Sequence, residues 1–113
     1  MSTTKGKNIL IVDDDEDLID LFKTFLEYDG YKVVAFTDPI DALYSFRKNI
    51  YDLVLLDLET PKMNGIILSH KLKNIDPTLL CCFITENKKF IEHLKRNNLD
   101  IEKIVIHKSI WLN

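Results

Sequence analysis

Five side chains of three chemical types stand just beyond four apolar runs, and their chemistries fit together. Ile9 to Val12 runs straight into Asp13 and Asp14, and Tyr51 to Leu56 (YDLVLL) runs into Asp57. Leu79 to Ile84 (LLCCFI) ends in Thr85, and Ile101 to Ile106 is followed by His107 and Lys108. Clustered carboxylates repel one another unless a cation neutralises them. An all-oxygen site with two or three acids suits a hard, hydrated ion such as Mg²⁺. A hydroxyl and an ammonium facing the same point would let the group orient a phosphoryl group and balance its three oxygens. A carboxylate can then act as nucleophile, because in-line attack on phosphorus needs little from a protein beyond positioning and charge. Taken singly, each residue has a plainer reading: Asp13 to Asp17 as a helix-capping run, Asp57 as a turn residue, Thr85 as a cap, Lys108 as a solvated lysine. The joint placement on four strand ends is what argues for chemistry.

The elements that must position these residues follow from periodicity. Ile9 to Val12 reads as a strand buried on both faces. Leu18, Leu21, Phe22, Phe25 and Leu26 recur at helical spacing after an acidic start, and Gly30 stops the helix. Tyr31 to Phe36 is a second strand. Thr37 or Asp38 then caps a second helix with Pro39 just inside and Ile40, Leu43 and Ile50 on one face. Tyr51 to Leu56 is the third strand. A loop with Pro61 and Gly65 leads to a third helical pattern through Met63, Ile66, Ile67 and Ile75, closed by Asp76 and Pro77. Leu79 to Ile84, a helical stretch from Asn87 to Arg96, and Ile101 to Ile106 complete a βαβαβαβαβ order. That alternation predicts an α/β fold with a doubly wound parallel sheet, right-handed crossovers and helices on both faces. Ligands in such sheets bind outside the carboxyl ends of the strands, where the strand order reverses.

Composition narrows the class of function. The chain has 113 residues, 46% hydrophobic and 29% charged, with a formal charge of -3. That describes one globular domain over residues 1–113, with no apolar stretch for a membrane and no basic footprint for direct nucleic-acid binding. Its two cysteines, Cys81 and Cys82, are adjacent in an apolar run and read as small core residues. The polar N-terminus, MSTTKGKN, offers no signal-peptide h-region, so a cytoplasmic location is expected. His70, His93 and His107 are too scattered for a metal or catalytic set. The three glycines form no phosphate-binding fingerprint. Lys88, Lys89, Lys95 and Arg96, mixed with Glu86 and Glu92, read as a solvated helix face.

ILIVDDDEDL, YDLVLLDLETPKMNG, FIT and HK together resemble the receiver domain of two-component response regulators, over about residues 7 to 110. The resemblance implies a flavodoxin-like, five-stranded sheet in the order 2-1-3-4-5. It implies that Asp57 is the phosphoacceptor and that Asp13, Asp14, Asp57 and the backbone carbonyl of Glu59 hold Mg²⁺. Thr85 would bond the phosphoryl oxygen and Lys108 would pair with the acyl phosphate. The phosphoryl donor would be a histidine kinase or phosphotransfer protein, and the output an altered protein–protein interaction. The chain would catalyse only its own phosphorylation and dephosphorylation.

Four departures from the family pattern stand out: Glu86 after Thr85 where a small residue is usual, Val105 where an aromatic is common, Ser109 in place of a proline, and a last helix confined to Ile110 to Asn113. The first three motivate an alternative, a pseudo-receiver that binds partners without cycling phosphate. The fourth leads to an expected homodimer through the sheet face left by the incomplete helix, with Trp111 in the contact. Asp57, Glu59 and Thr60 also echo the aspartate motif of haloacid dehalogenase-type phosphatases, but that reading leaves Asp13 and Asp14 unexplained.

Overall fold

The computed structural model describes residues 7–85, Glu92, Arg96 and the backbone of 105–107. Eight elements lie within them: β1 (Asn8–Val12), α1 (Glu16–Tyr28), β2 (Lys32–Phe36), α2 (Pro39–Ser45), β3 (Leu53–Asp57), α3 (Gly65–Ile75), β4 (Leu80–Thr85) and β5 (Val105–His107). The strands form one sheet in the order β2-β1-β3-β4-β5, every pair parallel. This is the doubly wound, flavodoxin-like arrangement expected from the alternation and the resemblance.

Alternate residues of the strands feed two separate cores. On one face Leu10, Val12, Val54, Leu56, Cys81 and Phe83 pack with Ala42 of α2 and with Leu68 and Leu72 of α3. On the other, Ile9, Ile11, Val33, Leu55 and Ile84 pack with Leu18, Ile19 and Phe22 of α1. A strand covered on both sides must be apolar at every position, which explains why β1 and β3 carry no polar residue between Ile9 and Val12 or between Leu53 and Leu56.

The helices depart from the sequence reading in three places. Ile19 joins the core at 7% exposure whereas Phe25, assigned to the apolar face, is 55% exposed. Residues 18, 19, 22 and 26 centre the packed stripe, and Phe25 falls on its flank. In α2, Asp38 is the cap, with its carboxylate accepting from Ile40 N–H at 2.8 Å, and Pro39 opens the first turn. The helix ends at Ser45, so Ile50 is not on its face and is 49% exposed. Phe46 turns to an extended conformation there, is buried, and stacks on Tyr51 with centroids 5.7 Å apart. In α3 the buried side is Leu68, Ser69 and Leu72, while Ile67 and Ile75 are exposed.

Among the remaining expectations, those on Glu86, His93, Lys88, Lys89, Lys95, Lys108, Ser109, Trp111 and the proposed dimer face fall outside the described residues. Of the 87–96 stretch only Glu92 and Arg96 are described, both in helical conformation and exposed. None of the described helices is long and apolar enough to cross a membrane.

Candidate functional site

Parallel register brings the acids together. Val12 of β1 is level with Leu56 of β3, so the next residues, Asp13 and Asp57, emerge side by side from the two central strands. Asp57 is level with Ile84, which puts Thr85 one step further along β4. Thr85 in turn is level with His107, the last residue of β5. The four strand ends named by the sequence therefore share one edge of the sheet. This edge flanks the place where the chain order reverses between β1 and β3, the usual ligand position of such folds.

Local hydrogen bonds sort the acidic run residue by residue. Asp13 is fully buried and its Oδ1 accepts from Asp15 N–H at 2.9 Å, folding the loop back on itself. Asp13 N–H donates to the Phe36 carbonyl of β2 at 3.1 Å. Asp15 is the N-cap of α1, its Oδ1 accepting from Asp17 N–H at 3.1 Å and Leu18 N–H at 3.2 Å. Glu16 and Asp17 occupy the first turn, where the helix dipole favours negative charge. Asp14, exposed between these two, has a carboxylate oxygen close to those of Asp13 and Asp57. The capping reading of this run falls on Asp15, while Asp13 and Asp14 stand with Asp57 in the carboxylate group.

Asp57 is 4% exposed, and its Oδ1 accepts from the N–H of Glu59 at 3.0 Å. The chain leaves β3 along a path set by two further bonds, Leu58 N–H to the Ile84 carbonyl at 3.0 Å and Gly65 N–H to the Leu58 carbonyl at 3.2 Å. Thr60 is buried and its hydroxyl donates to the Met63 carbonyl, closing the loop internally. Gly65 must lack a side chain here: a Cβ would press on the Asp57 carbonyl and lie 3.2 Å from Leu58 Cα, both backbone atoms with nowhere to go.

One carboxylate oxygen from each of Asp13, Asp14 and Asp57 lies within 4.8 Å of the others. Three oxygen donors of this kind fit a hard divalent cation that keeps several waters, as Mg²⁺ does, and two of the three acids are buried where uncompensated charge is costly. Next to this group opens a cleft of about 580 Å³ between the β1–α1, β2–α2 and β3–α3 loops, with Asp14, Asp15, Asp38, Pro61 and Lys62 on its walls. Lys62 crosses it to an ion pair with Asp38 at 2.5 Å. That pairing and the Ile40 N–H hold the Asp38 carboxyl below its usual range.

Thr85 is fully buried, and its hydroxyl donates to Oε1 of Glu59 at 2.8 Å. Sequence reasoning gave Glu59 only a backbone role. Its side chain is a member of the site that no spacing could reveal, since the contact spans 26 residues and depends on β3 and β4 pairing. The Asp38–Lys62 pair, 24 residues apart in loops after β2 and β3, is equally invisible to spacing. Lys108 lies outside the described residues.

The response regulator receiver domain family matches residues 9–109. The response regulator SaeR of Staphylococcus aureus is 38% identical over 66 residues, 58% of this chain and 28% of SaeR, so the chain spans just over a quarter of that relative. The non-phosphorylated HemR receiver domain from Leptospira biflexa is 30% identical with a TM-score of 0.70, covering 83% of this chain and 77% of HemR. The response regulator TrrA from Thermotoga maritima, solved in complex with Mg²⁺-BeF, is 27% identical with a TM-score of 0.68, covering 83% of this chain and 82% of TrrA.

Proposed function

The chain belongs to the receiver domain family of two-component response regulators, and from that premise we propose that it is an Mg²⁺-dependent phosphoacceptor with Asp57 as the nucleophile. The observation that carries this reading is the group of Asp13, Asp14 and Asp57, three carboxylates drawn within 4.8 Å at the carboxyl edge of the central strands. The complex of TrrA with Mg²⁺-BeF supports it by likeness of fold and family.

In this reading Asp13, Asp14 and Asp57, with the backbone carbonyl of Glu59, hold Mg²⁺, which supplies charge neutralisation when bound. The donor is a phosphohistidine of a histidine kinase or phosphotransfer protein. A carboxylate oxygen of Asp57 forms the new O–P bond as the P–N bond breaks, and the departing imidazole nitrogen keeps the electron pair and takes up a proton. The Glu59 N–H orients the Asp57 carboxyl before attack. Thr85 and Lys108 are assigned to the phosphoryl oxygens, one donating a hydroxyl proton and the other a positive charge. The chain then signals by changing its affinity for an output partner, with no direct contact to nucleic acid. Two free cysteines with no disulfide between them fit a reducing compartment, and we place the chain in the cytoplasm.

The test is labelling from acetyl phosphate with and without Mg²⁺. Label should appear only with the metal, and Asp14→Ala should lose both labelling and Mg²⁺ binding. Labelling undiminished in excess chelator would refute the metal assignment, while a wild-type chain that never labels would leave the pseudo-receiver as the better account.

A further inference from the structure

Glu59 touches both reactive ends of the site. Its backbone N–H donates to Asp57 Oδ1 at 3.0 Å, and its side-chain Oε1 accepts the Thr85 hydroxyl proton at 2.8 Å. Thr85 is fully buried at the end of β4, whereas Glu59 is exposed in the β3–α3 loop. The bond therefore ties a solvent-facing loop to a hydroxyl inside the protein. We propose that the Glu59 side chain is a latch that engages the Thr85 hydroxyl in the unphosphorylated chain and must release it before Thr85 can serve the phosphoryl group. This rests on the assignment of Asp57 as acceptor and Thr85 as a phosphoryl-oxygen donor.

The physical reason is proton count. A threonine hydroxyl has one proton to donate, so a bond to Glu59 and a bond to a phosphoryl oxygen exclude each other. A hydrogen bond to a carboxylate is stronger than one to a neutral acceptor, which weights the balance toward the resting arrangement. Whatever stabilises the resting state lowers the apparent affinity for a phosphoryl group by the same factor. Glu59 is thus a positioning residue that acts through Thr85, and the identity of its side chain sets how readily the chain switches.

Beryllofluoride with Mg²⁺ is the probe, with its affinity measured by titration calorimetry on the full chain. Glu59→Ala should bind it about fivefold more tightly than wild type, the factor expected for removing one competing hydrogen bond. Glu59→Gln, which keeps an acceptor oxygen but loses the charge that strengthens the bond, should gain less than Glu59→Ala and fall between it and wild type. The gain from Glu59→Ala should vanish in a Thr85→Val background and persist with Thr85→Ser, which restores the hydroxyl. If Glu59→Ala gains nothing, if Glu59→Gln gains as much as Glu59→Ala, or if the gain survives Thr85→Val, the latch is overturned and the acceptor assignment stands. If wild type binds no beryllofluoride and takes no label, the acceptor assignment falls and the latch with it.

Discussion

Asp13, Asp14 and Asp15 are identical side chains in a row, and the backbone gives each a different task. Asp13 is buried and braces the loop through Asp15 N–H, Asp15 caps α1, and Asp14 is the exposed member of the carboxylate group. The residue types were legible in the sequence because three acids after a buried strand are unusual, but their division of labour depends on the loop's dihedral angles, which leave no mark on composition. Gly65 makes the same point in reverse. It reads as a loop glycine, yet its role is to let the start of α3 approach the backbone of Asp57 and Leu58. Gly65→Ala should cost about 1–3 kcal/mol, the range for overpacking against atoms that cannot yield. Urea unfolding would measure it, and a slower rate of Asp57 labelling should accompany the loss. Unchanged stability would show that the α3 start gives way more easily than this packing implies.

At the scale of elements, the strands were legible and the helix faces only partly so. A doubly covered strand is apolar at every position and stands out in any window, whereas a helix stripe shifts by a residue without altering the spacing pattern. Spacing alone points Phe25, Ile50, Ile67 and Ile75 inward, yet all four are exposed. For Ile50 the cause is the early end of α2, where Phe46 swings into the core and Asn49 adopts a left-handed φ of 65°.

Lys62 holds a φ of 71°, a conformation that L side chains adopt at a cost and glycine does not. Its ion pair with Asp38 is largely in solvent, where such pairs contribute little. Lys62→Gly should therefore keep or raise the melting temperature, and a clear drop would mean that the strap across the cleft matters more than backbone strain.

Asp76 sits at the opposite end of the sheet. Its carboxylate accepts from the Thr78 hydroxyl at 2.8 Å and from Asn49 N–H at 3.1 Å, joining the α3–β4 and α2–β3 loops. The Thr78 hydroxyl, then the Asn49 N–H, hold its carboxyl below the usual carboxylate range. A lowered folded-state pKa contributes stability above the unfolded value, lost as pH falls through the folded one. Unfolding measured from neutral pH down past about pH 4 should show this acid-side loss in wild type. Asp76→Asn should be less stable at neutral pH and show a flatter acid limb, and parallel curves for the two proteins would contradict the assignment.

For the whole molecule, alternation of strand and helix patterns was enough to bring the candidate residues to one place, because a parallel sheet with right-handed crossovers delivers all its carboxyl ends to one edge. The sheet order β2-β1-β3-β4-β5 realises this, and the register of β1 and β3 sets Asp13 beside Asp57. What the pattern could not reveal were contacts between loops from different strands, Glu59 with Thr85 and Asp38 with Lys62, since these depend on side-chain reach after the strands have paired. We propose that this edge carries one acceptor, Asp57. The most direct measurement is intact-mass spectrometry of the wild-type chain and Asp57→Asn after incubation with acetyl phosphate and Mg²⁺. Wild type should gain a single phosphoryl group and the variant none. A phosphoryl group retained by Asp57→Asn would contradict the assignment.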